Sequence, residues 1–302
     1  MARDWEKTFS GWYQRASDAE QTRYKNTCKA INEALRGSER LKNYTFDVYA
    51  KGSYPAYTNV VRDSDVDIAV ELTVYYDNKF IHAASGLSVA DVGTPYTGDA
   101  TLAAFKNDVH KALIDAFGVV AVGRGSKAIH IRESTRSIKA DVVPCVTHKT
   151  WISRGVSHTG VRLQNDARPA QEIHNYPKQH LAEGTKKNDA TSRRYKRVVR
   201  ILKRLENEMV GEGVIAVVPS FLIESAVYNA PNRHFIHDTW TARVEAVLAH
   251  IYTGTTTDDC ISSKDWLEVN RVKYLFADGQ SWSRETANTF ALQAWRYVGF
   301  GS

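Results

Sequence analysis

Apolar residues recur at roughly helical spacing near the start of the chain, at Trp5, Phe9, Trp12, Ala16, Ala19, Tyr24 and Ile31. This pattern predicts one long amphipathic helix, or a pair, over residues 4–36, ended by Gly37-Ser38. Residues 44–50 alternate apolar and polar and predict a first strand. A second strand follows, in which Val66, Ile68 and Val70 alternate with Asp65, Asp67 and Ala69. Three glycines and a proline in 85–99 predict an exposed loop. Leu102, Phe105, Val109, Leu113 and Phe117 share one face of a helix over 101–117. Short strands are expected at 119–122, 128–131 and 137–143. Beyond them, 147–160 is polar with Ser/Thr-rich turns, and 165–190 reads as a turn-rich crossing between lobes. A helix over 186–210 has its apolar face at Tyr195, Val198, Val199, Leu202, Leu205 and Met209. Further helices are expected from Pro219 onward, with Ser220 as cap, and over 239–252 and 283–297.

Strands therefore concentrate in the first half and helices in the second, the order of an α+β protein. The expected division is 1–165, a core with a long N-terminal helix, and 166–302, a helical lobe closing a pocket. At 302 residues a sizeable core is assured. The content is 43% hydrophobic and 25% charged, ordinary for a soluble globular protein. The formal charge of +6 favours an anionic partner without separating nucleotide from nucleic acid or membrane. Three cysteines, Cys28, Cys145 and Cys260, lie far apart and read as thiols in a reducing cytosol. No signal peptide opens the chain and no apolar run approaches membrane-spanning length, so a cytoplasmic protein with no membrane partner is expected.

The candidate chemistry begins at residues 52–71. Asp-x-Asp on a strand sends both carboxylates, Asp65 and Asp67, to one face while Val66, Ile68 and Val70 anchor the other. Adjacent carboxylates repel unless a cation lies between them or one keeps a proton. A hard divalent ion shared with substrate phosphates fits that need. Upstream, the Gly52-Ser53 turn offers backbone N–H groups and a hydroxyl to a triphosphate. Gly-Ser followed about a dozen residues later by Asp-x-Asp is the signature of DNA polymerase β-like nucleotidyltransferases.

A third carboxylate is expected from Asp141, on the strand that returns after a β-α-β crossover. Three carboxylates suit a pair of ions ~3.5–4 Å apart. The rival, Glu71, shares the face but lies about 13 Å along the strand, and reads as a charge at the strand end. His148 and His158 sit near Cys145, yet no Cys-x-x-Cys pairs support a zinc site. From Lys186 to Arg204 nine residues are basic and one acidic. Arg193, Arg197, Arg200 and Arg204 read as a solvated face, with Lys203 placed to reach phosphates as a point charge. Ser220 opens a helix, where an anion can bind, and Phe221 beside it could stack on a base.

With these features in place, the chain resembles the cGAS/DncV-like nucleotidyltransferases (CD-NTases) of bacterial anti-phage (CBASS) systems over nearly its whole length. Asn175-Tyr-Pro-Lys-Gln-His180, Gly184-Thr-Lys-Lys-Asn and Lys196-Arg-Val-Val-Arg-Ile-Leu-Lys look like clade E, the CdnE enzymes. The resemblance implies a DNA polymerase β-like core of mixed sheet and flanking helices plus an all-helical C-terminal lobe. It implies that Asp65, Asp67 and Asp141 bind two Mg²⁺ or Mn²⁺ ions and build a cyclic di- or oligonucleotide second messenger from nucleoside triphosphates. By similarity Ser53 and Ser220 contact the triphosphate, Lys203 neutralises it and Phe221 stacks on a base. Asn175 matches an asparagine associated with uracil selection, so ATP and UTP are both candidate substrates. An amide can pair with a pyrimidine edge, and an Asx-type turn before Tyr176-Pro177 is its competing role. A downstream effector activated by the cyclic product is implied, and activation by long DNA is not. The alternatives are a template-independent transferase making linear oligonucleotides or extending RNA, and a catalytically silent nucleic-acid binder.

Overall fold

The computed structural model describes residues 3–60, 65–80, 87–92, 101–256 and 261–301. Contacts divide the chain into two compact units. A sheet unit comprises 17–55 and 63–178, and a helical unit comprises 1–16, 56–62 and 179–302. This division departs from a single cut at 165/166. The first helix and the seven residues after Pro55 belong with the C-terminal helices, and the sheet unit continues to Lys178.

The sheet unit is a seven-stranded mixed sheet. Its strands are β1 (Phe46–Lys51), β2 (Val66–Phe80), β3 (Val122–Arg124), β4 (Ile129–Ile131), β5 (Ala140–Ser153), β6 (Val156–Gln164) and β7 (Glu172–Asn175). The order is β1-β2-β5-β4-β3, with β6 on β5 and β7 on β6. Only β2 and β5 run parallel; the other pairs are antiparallel.

Two helices, α2 (Asp18–Arg36) and α5 (Leu102–Phe117), cover one face of this sheet. Ile31 and Leu35 from α2, with Phe105, Val109 and Leu113 from α5, bury Ile68, Val70, Val142 and Val146 beneath them. Strand alternation gives the opposite face to Ala69, Val143, Cys145, Val161 and Leu163, packed with Tyr49 and Ile173. Ser17 starts α2 as its N-cap, accepting from Glu20 N.

Several expected boundaries move. Val119 and Val120 are 71% and 76% exposed in a turn, and only Val122 enters β3. Gly118, at φ +84°, stops α5 just before them. β5 starts at Ala140 and runs through Pro144, which falls between its last pair with β4 and its first with β6. A residue without an N–H is tolerated where that edge changes partner. The expected turns at 147–160 are the β5–β6 hairpin, closed at Gly155, whose φ is +77°. In place of the turn-rich crossing stand β7 and helix α6 (Pro177–Ala190), with proline at the first helical position. Of the expected loop at 85–99 only 87–92 are described, and they include the short helix α4 (Val89–Val92). Cys260 lies outside the described residues.

The helical unit packs α1 (Trp5–Trp12), α7 (Tyr195–Gly211), α8 (Ser220–Asn229), α9 (Trp240–Thr255) and α10 (Arg284–Val298). The six apolar positions expected of α7 are all fully buried, with Phe9, Leu222, Val247 and Phe290 in the same core. Its basic residues are less solvated than expected. Arg200 is 3% exposed and donates to the carbonyls of Tyr13 and Tyr57. Burial, with the charges of Arg15, Arg197 and Arg204, pulls its guanidinium down to about 9. The expected solvated stripe is thus partly an internal clamp on the backbone.

Candidate active site

β2 and β5 bring two of the expected acids together: Asp67 is the direct register partner of Asp141. Residues paired in register on neighbouring strands project to the same face. Asp65 immediately precedes β2, and its Oδ2 accepts from Lys139 Nζ at 2.8 Å. Asp67 Oδ1 accepts from Lys51 Nζ at 3.2 Å, and Asp141 Oδ1 lies 2.6 Å from His130 Nδ1. Each carboxylate therefore faces one cationic or titratable nitrogen, which offsets the repulsion between the paired Asp67 and Asp141.

Gly52 is fixed by geometry at this point. Its φ is +74°, and a Cβ added there would overlap Asp67 Oδ2. Ser53 then opens the short helix α3 (Ser53–Ala56). Glycine serves both requirements, since only it tolerates left-handed backbone and close approach at no cost. Gly52→Ala is accordingly expected to push the Asp67 carboxylate aside and cut turnover at least about tenfold, while the sheet, anchored on its other face, keeps its stability. Steady-state kinetics alongside thermal melting would check this; equal losses in both would point to misfolding instead.

The roles of His130, Lys51 and Lys139 as carboxylate partners are not legible in the sequence, although alternation puts Lys139 on the face of Asp141. The available signal was the alternation Ile129-His130-Ile131, which sets a lone polar side chain on the face of a strand that pairs with Asp141. Glu71 also differs from expectation. It is no strand-end charge but a 2% exposed carboxylate in the middle of β2. Tyr49 Oη and Thr147 Oγ1 donate to it at 2.8 and 2.7 Å, and Lys178 Nζ lies 3.5 Å away. Burial, with Cys145 and Glu71 nearby, pushes the Tyr49 phenol far above its ordinary value.

Successive side chains on β5 alternate faces, so Cys145 and His148 diverge, and His148 Nε2 bonds Thr150 Oγ1 at 2.8 Å. Among the described residues no three His, Cys, Asp or Glu side chains are gathered to metal-binding distance, and this includes Asp65, Asp67 and Asp141, of which only Asp67 and Asp141 are directly paired. As a donor set, Asp65, Asp67 and Asp141 fit a hard divalent ion. They offer partly exposed carboxylate oxygens and no soft ligand.

Within the helical unit, Lys203 is 3% exposed and donates to Glu224 Oε2 at 2.9 Å. Glu224, one turn after Ser220 on α8, also accepts from Thr58 Oγ1 at 2.8 Å and lies 3.0 Å from His180 Nε2. Burial opposes its ionisation, but the charges and hydrogen bonds of Lys203 and His180 outweigh it and hold the carboxyl well below the usual range. Pro219, rather than Ser220, occupies the cap position; Ser220 is the exposed first residue of α8. Phe221 is half-buried, its ring stacked on His180 at 5.7 Å and tilted against Trp282 at 5.8 Å. Asn175 ends β7, half-buried, and among the described residues no partner holds its amide, so the Asx-type turn is not formed.

A Gly-Ser turn against paired carboxylates on parallel strands, in a sheet backed by helices, defines a nucleotidyltransferase core. Residues 182–299 match the model of the cGAS/DncV-like nucleotidyltransferase C-terminal helical domain. Over 303 aligned positions the chain is 34% identical to the cyclic dipyrimidine nucleotide synthase CdnE of Cecembia lonarensis, covering 99% of this chain and 100% of that protein. The solved CdnE cyclic dinucleotide synthase of Elizabethkingia meningoseptica, with GTP and Apcpp, matches with a TM-score of 0.80 at 31% identity, over 98% of this chain and 99% of that one. The Rhodothermus marinus CdnE c-UMP-AMP synthase, with Apcpp and Upnpp, matches at 0.84 and 26% identity, over 98% and 97%. The chain belongs to the cGAS/DncV-like nucleotidyltransferases, among the CdnE enzymes. Among the described residues no helix is long and apolar enough to cross a membrane.

Proposed function

We propose that this nucleotidyltransferase joins nucleoside triphosphates into a cyclic dinucleotide, with a pyrimidine nucleotide as at least one substrate, and that the product signals to an effector in anti-phage defence. The observation that carries the chemistry is the direct pairing of Asp67 with Asp141 beneath Gly52. In each transfer a ribose hydroxyl oxygen attacks the α-phosphorus of a triphosphate and pyrophosphate departs; a second transfer closes the ring. Asp65, Asp67 and Asp141 would hold the Mg²⁺ or Mn²⁺ ions. Bound there, the metal lowers the pKa of the attacking hydroxyl and neutralises charge on the triphosphate.

The chain's own residues do the rest. Lys51, Lys139 and His130 keep the three carboxylates ordered and aimed. Gly52 lets the turn approach Asp67, and Ser53 donates to phosphate. In the helical unit we assign Ser220 and Lys203 to the triphosphate and Phe221 to a base. Lys203 is buried against Glu224, to which it donates, so in this reading its charge acts on the triphosphate from beneath the surface. The pyrimidine assignment is supported by the unengaged Asn175 amide and by the name of the Cecembia lonarensis relative.

The test is incubation of the purified protein with all four labelled triphosphates and Mg²⁺ or Mn²⁺, followed by phosphatase and mass analysis. A phosphatase-resistant product containing uridine or cytidine is expected. A ladder with free ends would overturn ring closure, and a purine-only ring would overturn the pyrimidine assignment.

A further inference from the structure

Asn175 differs from its neighbours in one respect: everything around it is tied down. In the β5–β6–β7 register Thr147 pairs with Val161, and Val161 pairs with Asn175. Since register partners share a face, Asn175 projects from the same face of the sheet as Thr147, Cys145, Asp141 and Asp67. His174 and Tyr176 consequently turn to the opposite face. There the His174 ring lies 3.9 Å from that of His148. Tyr176 is 5% exposed, and its hydroxyl bonds Thr150 Oγ1 at 2.6 Å, which in turn bonds His148.

The backbone is held as well. A Cβ at Gly160 would overlap both the Asn175 carbonyl oxygen and the Tyr176 ring, so a side chain there is incompatible with the present position of β7. On the acidic face, Lys178 is tied to the buried Glu71 carboxylate, with its ammonium 5.1 Å from the Tyr49 ring centre. Residues 174, 176 and 178 each have an anchor, whereas among the described residues no partner holds the Asn175 amide. A hydrogen-bonding group discriminates between bases only if its position is fixed to a fraction of an ångström. Freedom to drift would let the amide follow any base edge.

We propose that Tyr176, through Thr150 and His148, and with the clearance at Gly160, is a positioning residue that fixes Asn175 for reading a pyrimidine. This rests on the assignment of Asn175 as the base-selecting group. The Tyr176 hydroxyl touches no substrate in this scheme. Its contribution is to base choice and not to phosphoryl transfer.

The experiment compares wild type, Asn175→Ala, Tyr176→Phe and the double variant. Each is given UTP and CTP in competition with ATP and GTP, with kcat and KM for each base class and a melting temperature for each protein. Tyr176→Phe keeps the ring against Gly160 and removes only the hydroxyl, so the fold is retained. Asn175→Ala is expected to lower the pyrimidine-to-purine ratio about tenfold, the scale of one lost hydrogen bond in a desolvated site. Tyr176→Phe is expected to lower it about three- to tenfold through the pyrimidine KM, with purine kcat unchanged and no further shift in the double variant. A changed ratio in Asn175→Ala with an unchanged one in Tyr176→Phe overturns the positioning role alone. An equal loss for both base classes in Tyr176→Phe, tracking a lower melting temperature, overturns it in favour of simple stability. No change in either variant overturns the assignment of Asn175 and the proposal together.

Discussion

Asp67→Ala is expected to reduce cyclic-nucleotide formation by at least about 10³-fold, equivalent to about 4 kcal/mol of lost transition-state stabilisation. The size follows from how much converges on this one carboxylate. It is the register partner of Asp141, the acceptor for Lys51 and the group that Gly52 is shaped to approach. Removing it leaves Asp141 without its paired carboxylate and Lys51 without its counter-charge. The strand itself should persist, because Val66, Ile68 and Val70 are buried on the other face and Asp67 is partly exposed. The distinguishing result is therefore a collapse of turnover with a melting temperature within a few degrees of wild type. Asp67→Asn, which keeps shape and loses charge, should fall nearly as far. Activity within tenfold of wild type in either variant would remove Asp67 from the chemistry.

The Asp67–Asp141 pair could be foreseen because strand periodicity is local: alternating apolar residues on each strand already dictate which face the acids occupy. The buried faces of α5 and α7 were legible for the same reason, through period 3.6. What the sequence hid depends on partners distant along the chain. Thr147, His148 and Thr150 look like solvent-facing turn residues until Glu71 and Tyr176 are seen to satisfy them. Glu71 looks like a surface charge until Tyr49, Thr147 and Lys178 surround it. Arg200 belongs to a basic run by composition, yet its donors are spent on the carbonyls of Tyr13 and Tyr57. The allocation of 1–16 and 56–62 to the helical unit is likewise a product of tertiary contacts that no linear cut can express.

The second large effect is expected at Glu224, on stability. This carboxylate is 4% exposed and joins Thr58, His180 and Lys203, from three separate segments of the helical unit. Glu224→Ala leaves the Lys203 ammonium buried without its counter-charge and strips Thr58 of its acceptor. Breaking a buried pair from one side costs about 3–5 kcal/mol, enough to unfold this unit or shift its urea midpoint strongly. Glu224→Gln should cost less, since the amide oxygen still accepts one hydrogen bond, although its NH₂ must then face a cation. The pH dependence carries a definite sign. Glu224 is held well below its unfolded value of about 4.3, so its contribution is fully present above that pH. It is lost progressively as pH falls below about 5 toward the depressed folded value. Wild type should therefore lose stability over this acid window more steeply than Glu224→Gln, whose amide does not titrate. Urea midpoints for the two proteins between pH 7 and acid conditions would measure this. Parallel slopes, or a loss under about 1 kcal/mol in the alanine variant, would mean that the network is not what holds these segments together.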